Sequence, residues 1–144
     1  MPTNRTAEVT WNGSLLEGSG EIDTSTSGVL GGQTVSWKAR STDETGGSTS
    51  PEELIAAAHA ACLSMALSSG LAKEGHPPDE LKTSATVTFQ PGEGITKIAL
   101  AVTGTVPGID AEAFRAAAET AKENCPVSKA LAAVPEITLD AKLR

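Results

Sequence analysis

Two cysteines, Cys62 and Cys125, are the residues of this chain best suited to covalent chemistry. Cys62 stands in the run Ala-Ala-Cys-Leu-Ser, where a small apolar residue filling a tight helix contact is one interpretation. Cys125 precedes Pro126, and a residue before proline disfavours helical geometry, so Cys125 is predicted at the N-cap of a short helix. Backbone amides at a helix start favour a thiolate. Together the two suggest a peroxidatic and resolving pair, while each alone also fits a structural cysteine.

Two histidines leave other chemistries open. His59 lies three residues before Cys62 on roughly the same helix face, which would suit a Cys–His nucleophile pair. The two cysteines with His59 and His76 also have the ligand number of a zinc site, although their spacing matches no common structural zinc pattern. A core histidine with satisfied hydrogen bonds is the third interpretation of His59, and the one we prefer.

Arg40 and Glu52 stand on either side of a polar segment. Arg40 is predicted to end a strand that contains Trp37, and its permanently charged guanidinium can hold a thiolate or a peroxide oxygen. Otherwise it is a solvated residue at the end of a strand. Glu52 lies in the first turn of the next predicted helix, where a carboxylate complements the helix dipole.

The first elements that must position these residues are strands. Residues 6–40 are typical of β structure, since apolar and polar residues alternate over residues 7–11 and again over residues 35–38. The Asn12-Gly13 pair indicates a tight hairpin. Residues 41–50 contain no apolar residue and are predicted to form a mobile loop.

A long helix is predicted to follow this loop. Ser50 supplies an N-cap hydroxyl, Pro51 suits the first helical position, and Glu53 is placed to close a capping box. Residues 54–71 are apolar nearly all round, so we expect the helix to be buried. Gly75 is predicted to end it.

The second half of the chain alternates again between strands and helices. Strands over residues 82–90 and 95–106 should form a hairpin, and Asp110 should cap a helix that runs to Asn124. A short helix from Pro126 to about Ala132 and a strand over residues 136–143 complete the chain. The order predicts an α+β fold in a single domain over residues 1–144.

Composition excludes several classes of protein. A chain of 144 residues can bury a hydrophobic core without disulfide bonds or bound metals, so its two cysteines are not expected to form a disulfide scaffold. The 18 acidic and 11 basic residues give a net charge of -7, which argues against nucleic acid and against an anionic membrane surface. Without a signal-peptide core after Met1, we expect a cytoplasmic protein with free thiols. Because only 3% of the residues are aromatic, we expect a second subunit to supply part of the burial.

Residues 50–68, SPEELIAAAHAACLSMALS, resemble the signature of the OsmC/Ohr family of thiol-dependent organic hydroperoxide reductases. Further segments resemble the OsmC branch of that family in the same order along the chain. These are residues 95–100, 106–110, 124–131 and 136–140. The resemblance therefore covers nearly the whole chain.

The resemblance implies an intertwined homodimer with antiparallel strands packed on a long central helix and two active sites at the subunit interface. It implies that Cys62 is the peroxidatic cysteine and Cys125 the resolving cysteine. Arg40 would activate the thiolate, and Glu52 would orient Arg40. The implied reaction reduces an organic hydroperoxide to an alcohol through a sulfenic acid and a disulfide, which an external dithiol, such as a lipoyl protein, then reduces. It implies no cofactor and no metal; a zinc-binding protein or a non-catalytic structural dimer is the alternative.

The spacing of Glu52 and Cys62 adds a geometric constraint. Ten residues correspond to about 15 Å along a continuous helix, so the two side chains cannot meet in one site on the same regular helix. We therefore expect a partner chain to supply the missing group.

Overall fold

The computed structural model describes all residues from Met1 to Arg144 and divides the chain into two compact units, Met1–Leu54 and Ile55–Arg144. The first unit contains strands β1 (Ala7–Asn12), β2 (Ser19–Ser25) and β3 (Thr34–Val35) and helix α1 (Trp37–Ser41). Helix α2 (Pro51–Lys73) begins in the first unit and continues in the second. The second unit adds β4 (Glu80–Gln90), β5 (Gly94–Thr105), α3 (Ala111–Asn124), α4 (Pro126–Ala130) and β6 (Glu136–Leu143). The α+β class is confirmed, and one domain over residues 1–144 stays a prediction.

The first unit is an antiparallel three-stranded sheet in the order β1-β2-β3. Its first hairpin is confirmed, but Asn12 pairs with Ser19 across a six-residue connection over residues 13–18, not across the tight turn expected at Asn12-Gly13. The prediction of a strand that contains Trp37 is wrong, because strand β3 ends at Val35. The Ser36 hydroxyl accepts a hydrogen bond from the N–H of Ala39 and so caps helix α1 where apolar alternation had suggested a strand.

Helix α2 begins and ends where the sequence predicts. The Ser50 hydroxyl accepts from the N–H of Glu53 at 3.2 Å, as an N-cap should. The capping box is not closed, because the Glu53 carboxylate accepts instead from the Thr49 hydroxyl at 2.6 Å. At the other end Gly75 has φ 87°, and the N–H of His76 donates to the carbonyl of Leu71, which together form a Schellman motif.

Only one stripe of α2 is buried within the chain, in contrast to the fully buried helix that we expected. The stripe within the second unit consists of His59, Leu63, Leu67 and Leu71 at four-residue spacing. Met65, on another face, is 74% exposed. By length and composition α2 could also cross a membrane, a test that core helices of soluble proteins pass as well.

The second unit contains a three-stranded sheet in the order β4-β5-β6. The predicted hairpin is confirmed, since β4 and β5 pair antiparallel along their length. One face of β5 is buried at alternate residues, namely Ile98, Leu100, Val102 and Gly104. The alternating apolar residues of β6 stand in register with that face, so Ile137, Leu139 and Ala141 extend it.

Strand β6 differs from the expectation of antiparallel strands, because it runs parallel to β5. A parallel pair needs a long crossover connection, and helices α3 and α4 provide it. Asp110 caps α3 as predicted by accepting from the N–H of Ala113 at 2.8 Å. On its inner side α3 buries Phe114, Ala118 and Ala121.

A glycine substitution tests the packing of α3 on the sheet. A Cβ atom at Gly104 would lie 2.5 Å from the fully buried ring of Phe114, so Gly104→Ala should lower the free energy of unfolding by about 1–3 kcal/mol. Gly70→Ala in α2 is the matched control, because its Cβ would meet no atom within 4 Å and the change should be neutral or stabilising by up to about 1 kcal/mol. Urea unfolding of both variants measures the difference, and equal stabilities would contradict the packing.

Candidate active site

The two cysteines lie together in the second unit. The Sγ atoms of Cys62 and Cys125 are 2.7 Å apart, and both side chains are free thiols. Cys62 is half-exposed on α2, whereas Cys125 is 0% exposed at the N-cap of α4. The predicted break at Cys125-Pro126 thus positions one sulfur against the other, at a separation from which a disulfide can form with little movement.

The surroundings shift the pKa values of the two thiols in opposite directions. Burial raises the pKa of the Cys62 thiol, and the hydrogen bond with Cys125 raises it further. Burial also acts to raise the pKa of Cys125, but hydrogen bonding with Cys62, Ser128 and the backbone N–H of Val127 outweighs burial and lowers that pKa.

His59 takes part in a buried polar contact next to the cysteines. Its ring is 0% exposed, and Nε2 lies 2.8 Å from the hydroxyl oxygen of buried Ser128. The preferred interpretation of His59 as a core histidine is confirmed for Nε2, while Nδ1 has no hydrogen-bond partner. The Cys–His nucleophile pair is not formed, because the ring bonds to Ser128 and not to Cys62.

Sequence reasoning missed Ser128. The only signal was its position three residues after Cys125, since N-cap and N3 side chains lie side by side in the first turn of a helix. Its partner His59 is 69 residues away along the chain, and no local pattern could have indicated their contact.

Arg40 and Glu52 form an ion pair within the first unit. The Nε atom of Arg40 donates to both carboxylate oxygens of Glu52, at 2.9 and 3.2 Å. Glu52 is almost fully buried, and Arg40, whose side chain is 34% exposed, lies in helix α1 and not at the end of a strand as expected. Because an unpaired buried carboxylate is costly, this contact constrains both side chains.

The zinc interpretation lacks its ligand cluster. No group of three or more His, Cys, Asp or Glu side chains is arranged to hold a metal ion. The ring of His76 lies against Gly108, in the turn that leads into α3. The four residues proposed as zinc ligands are therefore not brought together.

An α+β fold with two thiols in hydrogen-bond contact defines a dithiol protein of the redox type. The chain belongs to the OsmC family, because residues 43–140 match the family described as OsmC-like protein. It is 44% identical to Peroxiredoxin OsmC of Escherichia coli (strain K12) over 147 aligned positions, which cover 100% of this chain and 99% of that protein. Peroxiredoxin OsmC of Shigella flexneri matches with the same identity and coverage.

Solved structures share the fold. The organic hydroperoxide resistance protein OhrB of Bacillus subtilis matches with a TM-score of 0.63 and 28% identity, over 96% of this chain and 98% of that chain. An organic hydroperoxide resistance protein from Elizabethkingia anophelis matches with a TM-score of 0.70 and 24% identity over all of both chains. The predicted OsmC/Ohr resemblance is thereby confirmed.

Buried His59 predicts a pH dependence of stability. Burial lowers the pKa of His59 below its usual value of 6.5, so below pH 6.5 the unfolded chain binds a proton that the folded chain does not. Stability should therefore be full above pH 6.5 and fall below it, by up to about 1.4 kcal/mol per pH unit from this group. Urea unfolding between pH 5 and 8 should show a shallower slope for His59→Gln than for the wild type. An equal slope in His59→Gln and in the wild type would contradict the assignment.

Proposed function

We propose that this chain is a thiol-dependent peroxidase that reduces organic hydroperoxides to alcohols with Cys62 and Cys125. The observation that carries the proposal is the 2.7 Å approach of the two free thiols. The 44% identity with a protein named Peroxiredoxin OsmC supports a peroxidase. The similarity to an organic hydroperoxide resistance protein supports the class of substrate.

The cycle has three steps. The Cys62 thiolate attacks the terminal peroxide oxygen, the O–O bond breaks, and the alkoxide takes up a proton and leaves as an alcohol, so that Cys62 becomes a sulfenic acid. The Cys125 thiolate then attacks the Cys62 sulfur, the S–S bond forms, the S–O bond breaks, and hydroxide leaves and is protonated to water. An external dithiol, of which a lipoyl protein is one example, reduces the disulfide and is itself oxidised to a disulfide.

Activation of Cys62 requires a positive charge. Burial and Cys125 raise the pKa of Cys62, yet the attacking species is the thiolate. In this proposal the guanidinium of Arg40 supplies that charge and holds the peroxide oxygens. Buried Glu52 fixes Arg40 by accepting twice from its Nε.

Cysteine variants test the reaction. Cys62→Ser should abolish consumption of tert-butyl hydroperoxide, because the nucleophile is lost, while the circular dichroism spectrum stays that of the wild type. Cys125→Ser should consume about one equivalent and then stop at the sulfenic acid, since the resolving thiol is absent. Thiol titration before and after one equivalent of peroxide, with mass spectrometry for a Cys62–Cys125 link, measures both outcomes. Undiminished activity in Cys62→Ser would refute the proposal.

The homodimer is a second part of the proposal. A helix with an exposed apolar face needs a partner surface, and Met65 of α2 is 74% exposed in the single chain. Ten residues of helix separate Glu52 from Cys62, about 15 Å along the axis, so we propose that Arg40 and Glu52 of one subunit serve Cys62 of the other.

The proposed compartment is the cytoplasm, where reduced thiols persist.

Mixed dimers test the shared site. Cys62→Ser and Arg40→Ala should each be inactive as pure proteins. After the two are refolded together, a mixed dimer should contain one site with an intact Cys62 and an intact Arg40 from the other subunit, restoring about a quarter of wild-type activity with random pairing. If both groups came from one subunit, the mixture would stay inactive. A control mixture of Cys62→Ser with Cys62→Ala should also stay inactive, and sedimentation should give twice the chain mass of 14.6 kDa.

A further inference from the structure

The hydrogen bond between His59 and Ser128 joins α2 to α4 and has no part in the cycle described above. Nε2 of His59 lies 2.8 Å from the hydroxyl oxygen of Ser128, and both side chains are buried. His59 stands three residues before Cys62 on α2, and Ser128 stands three residues after Cys125, the N-cap of α4. Because residues three apart are neighbours on a helix surface, this bond lies about one turn from the contact between the two sulfurs.

Cys125 is the corner between two helices. Its backbone, with φ -59° and ψ 121°, ends α3 and begins α4. Helix α3 buries Phe114 and two alanines in the core, whereas Ser128 is the only buried residue of the five in α4. A helix of five residues is not stable by itself, so the direction in which α4 leaves Cys125 depends on how Ser128 and, just beyond the helix, Leu131 are held.

A histidine at position 59 destabilises the core, which indicates that its hydrogen bond has a use. The other residues of the buried stripe of α2 are leucines, and a leucine at position 59 would be buried without any polar atom. The histidine leaves Nδ1 buried without a partner. What it adds is direction, because a hydrogen bond requires a donor and an acceptor at about 2.7–3.2 Å and nearly in line, whereas hydrophobic contact is non-directional.

We propose that the His59–Ser128 hydrogen bond positions Cys125 for disulfide formation by fixing the direction of α4. Both residues act through this cysteine and are therefore positioning residues. The inference rests on the proposed function. The contact between the sulfurs changes at each step of that cycle, whereas the His59–Ser128 bond contains no reacting atom and can persist throughout. It therefore raises the effective concentration of Cys125 at the Cys62 sulfur.

A redox equilibrium without peroxide tests the role. In a glutathione buffer the two thiols form the disulfide while one oxidised glutathione becomes two reduced ones, and the equilibrium constant, measured by alkylation and mass spectrometry, is the effective concentration of the thiol pair. Ser128→Ala and His59→Leu should each lower this constant roughly threefold to tenfold, the effect of one neutral hydrogen bond, because α4 then holds Cys125 at its partner sulfur for a smaller fraction of the time.

Ser64→Ala is the matched control. The Ser64 hydroxyl bonds to the hydroxyl of Thr83 on β4 at 2.7 Å, so this variant also removes a side-chain hydrogen bond from the middle of α2. Because that bond does not reach α4, the equilibrium constant should stay that of the wild type.

A double variant separates one shared contact from two independent effects. If His59 and Ser128 act through their mutual hydrogen bond, His59→Leu combined with Ser128→Ala should lower the constant no further than either change alone. His59→Gln, whose amide nitrogen can lie near the Nε2 position, and Ser128→Thr, which keeps the hydroxyl, should retain most of the wild-type constant. Either single variant suffices if the other does not fold.

Single-turnover kinetics extends the test to the peroxidase cycle. The reduced protein is mixed with tert-butyl hydroperoxide, quenched with an alkylating reagent and analysed by mass spectrometry for thiol, sulfenic acid and disulfide. In Ser128→Ala, oxidation of Cys62 should keep the wild-type rate, while disulfide formation should slow roughly threefold to tenfold and sulfenic acid should accumulate.

Wild-type equilibrium constants in both Ser128→Ala and His59→Leu would overturn the inference. So would an equal loss in the Ser64→Ala control, a multiplied effect in the double variant, or equal slowing of Cys62 oxidation. A wild-type protein that forms the disulfide in glutathione but consumes no hydroperoxide would refute the proposed function, and the glutathione equilibrium would still decide the role of the His59–Ser128 bond.

Discussion

Burial of one stripe of α2 is the constraint on which the second unit depends. His59, Leu63, Leu67 and Leu71 recur every four residues, and the three leucines join the core cluster of β5 and α3. Each fully buried leucine contributes about 1.5–3 kcal/mol, enough to fix the rotation of the helix. Cys62 precedes Leu63 by one residue, so it lies about 100° around the axis and remains half-exposed beside the stripe. The position of Cys62 is therefore set by the buried residues next to it on the helix.

The sequence predicted those features of the fold that short segments determine. The N-cap at Ser50, the Schellman end at Gly75 and the break at Pro126 depend on residues within one turn of each other, and all three are present. The direction of β6 could not be predicted in this way, because parallel pairing with β5 depends on how the intervening helices pack. Helix α1 was missed since Val35 and Trp37 alternate as in a strand while the deciding contact is the Ser36 cap.

In the candidate site, too, some features follow from the sequence and others depend on contacts between distant residues. Residue type and the family resemblance selected Cys62 and Cys125, and folding brings their sulfurs into contact. The same information selected Arg40 and Glu52, which pair in the structure although Arg40 lies in a helix. Ser128 could not be selected, because its buried contact is with His59, which lies 69 residues away along the chain. Contacts between distant residues are what a sequence pattern leaves undetermined.

The exposed apolar face of α2 can be covered by lipid or by protein, and two mid-helix contacts favour protein. The Ser64 hydroxyl lies 2.7 Å from the hydroxyl of Thr83 on β4, and His59 bonds to Ser128 on α4. These contacts join the middle of α2 to strand β4 and to helix α4. Unpaired backbone N–H and C=O groups at the edge of a sheet or the end of a helix are costly in the hydrocarbon core of a membrane. Small residues such as Ala57 and Ala61 on its exposed surface allow a second helix to approach closely. A second copy of the chain offers that helix, and in the proposed dimer the same contact would bring Arg40 of one subunit toward Cys62 of the other.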